Sequence, residues 1–163
     1  MFGLRGLLVP LCLAALALTG CQTARQQGVW SAAQIAVMKE EGFINTERGW
    51  EFSMDDRLLF PTDQSKVAAD QSTNIARMAT RLLSVGIRRA TVEGHTDDTG
   101  TEQHNLTLSK NRADTVARVL QGSGYPLENV QAVGLGKAFP IESNATEDGR
   151  RENRRVVILL TSP

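Results

Sequence analysis

Apolar side chains occupy every second position from Trp50 to Met54, before an apolar run at residues 58–60. This alternation is typical of a strand that buries one face and exposes the other. Two consecutive carboxylates, Asp55 and Asp56, interrupt the pattern. We therefore predict a first strand over residues 49–60 with a bend at the two aspartates.

Two longer segments carry apolar side chains at helical spacing. In residues 66–85 five apolar side chains lie near helical spacing, and Gly86 closes the run; they are Val67, Ile75, Met78, Leu82 and Leu83. Residues 105–120 show the same spacing and are followed by Gly122 and Gly124. An apolar stripe that ends at a glycine is typical of an amphipathic helix. We predict a helix in each segment.

Three further strands are predicted, at residues 87–96, 130–135 and 154–161. The resulting order, βαβαββ, indicates an α+β fold, an α/β sandwich with a mixed parallel and antiparallel sheet and helices packed on one face. Each helical crossover implies a parallel pair of strands. The polar, glycine-containing residues 137–151 are predicted to form a long surface loop between the last two strands.

The segment before the first strand predicts a short helix over residues 32–41. Ser31 and Gln34 have the spacing of a capping box, and Gly42 provides a stop. We predict a lipidated tether over residues 21–48 and a domain over residues 49–163. Four apolar or aromatic side chains around this helix either bind a partner protein or fold back onto the domain: Ile35, Met38, Phe43 and Trp50.

The first twenty residues combine one basic residue, Arg5, with an apolar run at 7–18 and the box Leu-Thr-Gly-Cys that ends at Cys21. This pattern predicts a signal peptide over residues 1–20. A membrane-spanning helix is disfavoured, because it needs about 20 apolar residues. The box resembles that of bacterial lipoproteins. The resemblance implies that Cys21 carries the lipid and that Gln22 directs the protein to the outer membrane, with its domain facing the periplasm.

Charge and cysteine content limit the candidate functions. The chain has 18 basic and 18 acidic residues, so removal of Arg5 leaves 17 and 18. No basic excess indicates nucleic acid as a partner. Its two cysteines are Cys12, inside the signal peptide, and Cys21. The mature chain therefore has no cysteine pair for a disulfide, and we predict neither a cofactor nor a metal.

The strongest motif spans residues 92–113. It comprises Gly94-His95-Thr96-Asp97, then Gly100 and Asn105, and finally Leu108-Ser109 and Arg112-Ala113. This set resembles the signature of the OmpA-like peptidoglycan-binding domain. The resemblance implies that the chain binds the meso-diaminopimelate of the peptidoglycan stem peptide and is not an enzyme.

The motif places one carboxylate and one guanidinium for recognition of a zwitterion. Asp97 follows a strand, and Arg112 lies on the following helix at the border between core and solvent. A loop at Gly100 can turn the two toward each other. The resemblance implies that Asp97 takes the diaminopimelate ammonium and that Arg112 takes its carboxylate.

Supporting contacts are predicted from Thr96, from Asn105 and from backbone amides at Phe60 and Thr62. Pro61, between the last two, has no N–H to donate. Of the pair Arg154 and Arg155, one is predicted to brace the fold rather than touch the ligand.

Other readings of the same residues remain open at this point. Asp97 and Arg112 could form only a structural ion pair, without binding a ligand, and an exposed pair would contribute ~0–1 kcal/mol. A metal-dependent hydrolase could use two histidines and neighbouring carboxylates. A serine triad at Ser109 lacks the turn that such a nucleophile needs. The candidate hydrolase residues are Glu93, His95, Asp97, Asp98 and His104.

A narrower resemblance covers three segments, at residues 31–37, 41–43 and 49–52. They resemble outer-membrane lipoproteins that capture a periplasmic repressor and thereby release an inner-membrane diguanylate cyclase, which makes cyclic di-GMP. The resemblance implies a signalling adaptor. The alternative is a housekeeping tether between outer membrane and cell wall, and the sequence leaves a homodimer open.

Overall fold

Five strands form one mixed sheet in the computed structural model, which describes residues 30–60 and 67–161. The predicted signal peptide 1–20, the lipidation site Cys21, and both Pro61 and Thr62 lie outside these residues. The strands are β1 (Ile44–Thr46), β2 (Gly49–Asp55), β3 (Ala90–Gly94), β4 (Val130–Gly134) and β5 (Arg155–Leu160). The helices are α1 (Ala32–Glu40), α2 (Asp56–Leu59), α3 (Ala69–Ser84), α4 (Glu102–Gly122) and α5 (Glu147–Asn153), with a 3₁₀ turn at Leu127–Asn129.

The strand order is β1-β2-β5-β3-β4. β3 and β4 are parallel, with Ala90 opposite Val130, and all other pairs are antiparallel. The predicted mixed sheet is confirmed, but the prediction of a parallel pair at each crossover is wrong for the first one. β2 and β3 run in the same direction, but β5 lies between them and its backbone pairs antiparallel with both.

The main core lies between the sheet and helices α3 and α4. On the strands it contains Val92, Val156, Ile158 and Leu160, each fully buried. The apolar stripes of the two helices supply the facing side chains, which are Ile75, Met78, Ala79, Leu82, Ala113, Val116, Ala117 and Leu120. Burial of these stripes is the main stabilising contribution, at about 25 cal/mol per Å² of apolar surface.

The predicted capping box is present, with Gln34 N donating to Ser31 Oγ and Ser31 N donating to Gln34 Oε1. The predicted domain boundary at residue 49 is wrong, however, because α1 and β1 belong to the domain. β1 pairs with β2, and Phe43 packs against Phe52 with ring centroids 5.4 Å apart. Met38 of α1 is fully buried. These apolar side chains gain burial by folding back.

A short helix, α5, replaces part of the predicted surface loop at 137–151. It is capped by Thr146, whose side chain accepts from Gly149 N. Asn153 at its end is fully buried, and its amide bonds to Ile141 N, Glu142 N and Glu142 O. A helix held mainly by capping and polar bonds has no apolar period, so sequence periodicity does not reveal it.

Candidate functional site

Asp97 lies just beyond the carboxyl end of β3, in the loop that leads to α4. Backbone bonds fix this loop, with His95 N donating to Arg155 O and Thr96 N donating to Gly136 O. One Asp97 carboxylate oxygen, Oδ1, accepts from Thr99 N at 2.9 Å. The Asp97 side chain is 10% exposed, so its charge needs nearby partners.

The other Asp97 oxygen, Oδ2, lies 2.6 Å from Arg154 Nη1. Arg154 stands between α5 and β5 and also contacts Glu147 at 3.1 Å. Burial tends to raise the pKa of Asp97, but the bonds from Arg154 and Thr99 outweigh it and lower the pKa below its usual value. Asp97 is therefore ionised at neutral pH and already paired.

Arg112 projects from α4 into the same region. Its Nη2 lies 2.9 Å from Oδ2 of Asp56, and its guanidinium stacks over the Phe60 ring at 5.3 Å. Both side chains of this ion pair are about nine-tenths buried. Burial raises the pKa of Asp56 to about 6, against the opposing charges of Arg112 and Arg154. Arg112 Nε and Asp56 Oδ1 have no hydrogen-bond partner among the described residues.

Close approach of α4 to the sheet sets the position of Arg112. A Cβ added at Gly94 would stand 2.0 Å from Ser109 O, and one at Gly134 would stand 2.5 Å from Lys110 N. Only glycine permits such an approach. Ser109 stabilises this approach of α4, since its Oγ accepts a hydrogen bond from Gly136 N at 3.0 Å.

The site therefore contains two ion pairs side by side. Asp97 and Arg112, which sequence predicts to face one another, lie in one electrostatic cluster but each bonds to a different partner. Sequence reasoning missed Asp56 and Arg154 as members. The signals were present, because Asp56 lies at the predicted bend and Arg154 opens the Arg-Arg pair before the last strand.

The predicted supporting residues are engaged inside the protein. Thr96 Oγ1 donates to Asp97 O, and Asn105 Nδ2 donates to Thr99 O, both at 2.9 Å. These bonds shape the loop around Asp97. Phe60 N donates to Asp56 O at 2.8 Å, so the prediction of a free amide there is wrong, because α2 uses that amide to close its last turn.

Arg155 is buried and connects neighbouring segments of the fold. It is 7% exposed and donates to Phe139 O and Asn153 O. The predicted role of one arginine as a brace thus corresponds to Arg155, whereas Arg154 belongs to the charged cluster.

The predicted partner surface around α1 is largely internal in this conformation. Met38, Phe43 and Trp50 are buried in the core, and Ile35 packs against it half-buried. Of the two predicted alternatives, this conformation has the four side chains folded back onto the domain, and partner binding through them stays a prediction.

Glu93 and His95 form a separate polar pair. Glu93 Oε2 lies 3.7 Å from His95 Nε2 and 2.5 Å from Arg48 Nη2. His95 and Arg48 lower the pKa of Glu93 to about 2, although burial opposes them. At 3.7 Å the histidine contact is longer than a hydrogen bond, so Arg48 is the direct partner. Burial lowers the pKa of His95 itself.

Across residues 30–60 and 67–161, no three His, Cys, Asp or Glu side chains converge as a metal site would require. His95 points toward Glu93, while Asp97 is engaged by Arg154. Within the same ranges, no helix has the length and apolar character to cross a bilayer.

Comparison with known proteins gives consistent matches. A model of the OmpA family matches residues 59–154. The chain is 42% identical over 145 residues to the outer-membrane lipoprotein YfiB of Pseudomonas aeruginosa, covering 89% of this chain and 86% of that protein. It is 38% identical over 161 residues to the lipoprotein YfiB of Escherichia coli, covering 98% and 99%. The peptidoglycan-associated lipoprotein of Burkholderia pseudomallei is 30% identical, with a TM-score of 0.56 over 66% of this chain and 87% of that one.

Proposed function

The chain belongs to the OmpA family, and we propose that it is an outer-membrane lipoprotein whose periplasmic domain binds peptidoglycan without covalent attachment. The ligand is the side-chain end of meso-diaminopimelate, which carries an ammonium and a carboxylate on one carbon. Lipidation at Cys21 anchors the protein. Several acyl chains make such an anchor stable, at about 0.8 kcal/mol for each buried CH₂.

The paired charges of the site support this ligand. Arg154 places a cationic group 2.6 Å from Asp97, where a ligand ammonium would bind. Asp56 places a carboxylate 2.9 Å from Arg112, where a ligand carboxylate would bind. The two internal partners thus have the charges of the two ends of the zwitterion. Binding exchanges each internal pair for a similar bond to the ligand.

Calorimetry with a purified stem peptide tests this assignment. We expect Asp97→Asn and Arg112→Lys each to weaken binding at least about tenfold, because each removes a charge-assisted or bidentate bond. Matched controls are Asp98→Asn, on the exposed neighbour, and Arg118→Lys, on the exposed side of α4. Both should bind like the natural chain.

A second ligand tests the diaminopimelate itself. A stem peptide with lysine in that position keeps the ammonium but lacks the carboxylate, and we expect it to bind at least about tenfold more weakly. Equal binding of the two peptides would refute the role of Arg112. Unchanged peptidoglycan after long incubation is expected as well, and its cleavage would instead support the remote alternative, a metal-dependent hydrolase.

We further propose that the chain is a signalling adaptor that captures a YfiR-like periplasmic repressor and so relieves inhibition of a diguanylate cyclase. The support is its identity to two YfiB lipoproteins over most of its length. Capture through Met38 or Phe43 requires that the α1–β1 segment leave the domain, because both side chains are buried in the core.

A reversible lock on β1 tests the adaptor proposal. Ile44 and Glu51 are partners in the β1–β2 pair. Cysteines at both positions, combined with Cys21→Ser, can therefore form a disulfide that links β1 covalently to β2. We expect the reduced protein to bind the purified repressor and the oxidised protein to fail. Equal binding by both forms would refute release of the segment. If the natural chain does not bind the repressor at all, the housekeeping tether is the correct function.

A further inference from the structure

One end of the domain carries two adjacent arginines that have no side-chain partner among the described residues. Arg88 and Arg89 are exposed and directly precede β3. Neither side chain makes a hydrogen bond or an ion pair with the residues that the structure describes. The other ten arginines in those residues all bond to a carboxylate, a hydroxyl or a backbone carbonyl. Unpaired guanidinium groups remain available for an external anion.

The two arginines border a concave surface with both polar and apolar side chains. They line a cleft of about 300 Å³ together with Trp30, Ile87, Asn129 and Thr161. Asn129 ends the 3₁₀ turn that begins at Leu127, a residue that is 71% exposed. We call this surface the basal face, defined by Trp30, Arg88, Arg89 and Leu127. Trp, Arg and an exposed leucine together are typical of surfaces that enter a membrane interface.

The basal face lies opposite the peptidoglycan site. Arg89 stands before the first residue of β3, whereas Asp97 follows its last residue, so the two features lie toward opposite ends of the strand. A ligand at one end does not block the other. The domain can therefore face the wall at the Asp97 end while its basal face points away from the wall.

The lipid anchor is close to the basal face along the chain. Only eight residues, 22–29, separate Cys21 from Trp30. Nine Cα-to-Cα steps span at most about 30 Å, which is less than the ~36 Å diameter of a domain of this size. The anchor thus keeps the basal face within reach of the leaflet in which the acyl chains are inserted.

We propose that the basal face docks on anionic phospholipid headgroups of the periplasmic leaflet. Arg88 and Arg89 bind headgroup phosphates, and Trp30 and Leu127 contact the interface beside them. Glu128, which lines an adjoining cleft with Arg89, leaves a local excess of one positive charge. Docking orients the domain, so that its diaminopimelate site is presented toward the wall.

Vesicle sedimentation of the mature, unlipidated chain with Cys21→Ser tests this proposal. The vesicles contain phosphatidylethanolamine with one quarter phosphatidylglycerol, and neutral phosphatidylcholine vesicles serve for comparison. A basic residue near an anionic surface is worth about fivefold in partitioning, so two are worth about 30-fold. We expect Arg88→Glu combined with Arg89→Glu to lower partitioning at least that much. High salt should lower partitioning of the natural chain as well.

The matched control is Arg118→Glu combined with Lys137→Glu, which changes the net charge equally at exposed positions outside the basal face. We expect it to partition within about twofold of the natural chain. Circular dichroism checks that both variants are folded. Failure of the natural chain to prefer anionic vesicles, or equal losses in the two variants, would overturn the proposal. Neither readout depends on peptidoglycan binding.

Discussion

Protonation of Asp56 should strengthen binding of the diaminopimelate end. Asp56 competes with a ligand carboxylate for Arg112, because its Oδ2 lies 2.9 Å from Arg112 Nη2. Burial raises the pKa of Asp56 to about 6, so this carboxylate is neutralised in mildly acidic solution. The pKa of Asp97 is lowered, so its charge persists. At mildly acidic pH, Asp56 therefore no longer competes for Arg112, whereas Asp97 can still bind the ligand ammonium.

The size of the effect follows from the pKa of about 6. At pH 7.5 the ionised form of Asp56 exceeds the neutral form by about 30-fold, whereas at pH 5 it is about one tenth of the neutral form. If the ligand binds only when Asp56 is neutral, the apparent Kd at pH 7.5 is about 30-fold larger than at pH 5. This ratio, about 2 kcal/mol, is the upper limit.

Calorimetry with the stem peptide between pH 5 and pH 7.5 measures this ratio. Asp56→Asn should bind at pH 7.5 about as tightly as the natural chain does at pH 5, and its Kd should change little with pH. The matched control is Asp55→Asn, which removes the neighbouring carboxylate and keeps an N-cap for α2. A flat profile in the natural chain, or a slope that persists in Asp56→Asn, would refute the reasoning.

Two further predictions concern stability and are measured by urea unfolding. Gly94→Ala places a Cβ 2.0 Å from Ser109 O and should lower the free energy of unfolding by at least about 3 kcal/mol. The control Gly122→Ala, whose Cβ meets nothing within 4 Å, should be neutral or stabilising. Similar losses in the two variants would contradict the close approach of α4. Met38→Ala should lower the free energy of unfolding by about 2–5 kcal/mol because Met38 is fully buried. Lys39→Ala, at the exposed neighbour, should change it little. An unchanged urea midpoint for Met38→Ala would show that α1 does not unfold together with the domain.

Elements with a strong apolar period were predictable from sequence. α3, α4 and strands β3 to β5 each bury a regular set of apolar side chains, and their predicted positions agree with the structure within a few residues. β1 was missed because its three residues are all exposed and its stability comes from backbone pairing with β2. α5 was missed because capping and Asn153 hold it rather than an apolar face.

The candidate site was predictable in part, for a related reason. Asp97 and Arg112 belong to one continuous motif, so their neighbourhood follows from a strand, a loop and a helix that are adjacent in sequence. Asp56 and Arg154 reach the site from α2 and from the start of β5. Contacts between distant segments depend on strand order, and the insertion of β5 between β2 and β3 was not evident from periodicity.

The four charges explain why a zwitterion suits this site better than a single ion. Asp56, Asp97, Arg112 and Arg154 sum to zero, and the diaminopimelate end also has no net charge. A ligand with only an ammonium displaces Arg154 from Asp97 and leaves the Asp56–Arg112 pair closed. A ligand with both groups displaces Arg154 and Asp56 together, and these two already attract one another electrostatically. Their mutual attraction offsets part of the cost of opening both pairs. The site therefore prefers a ligand that replaces both internal partners over one that replaces only Arg154.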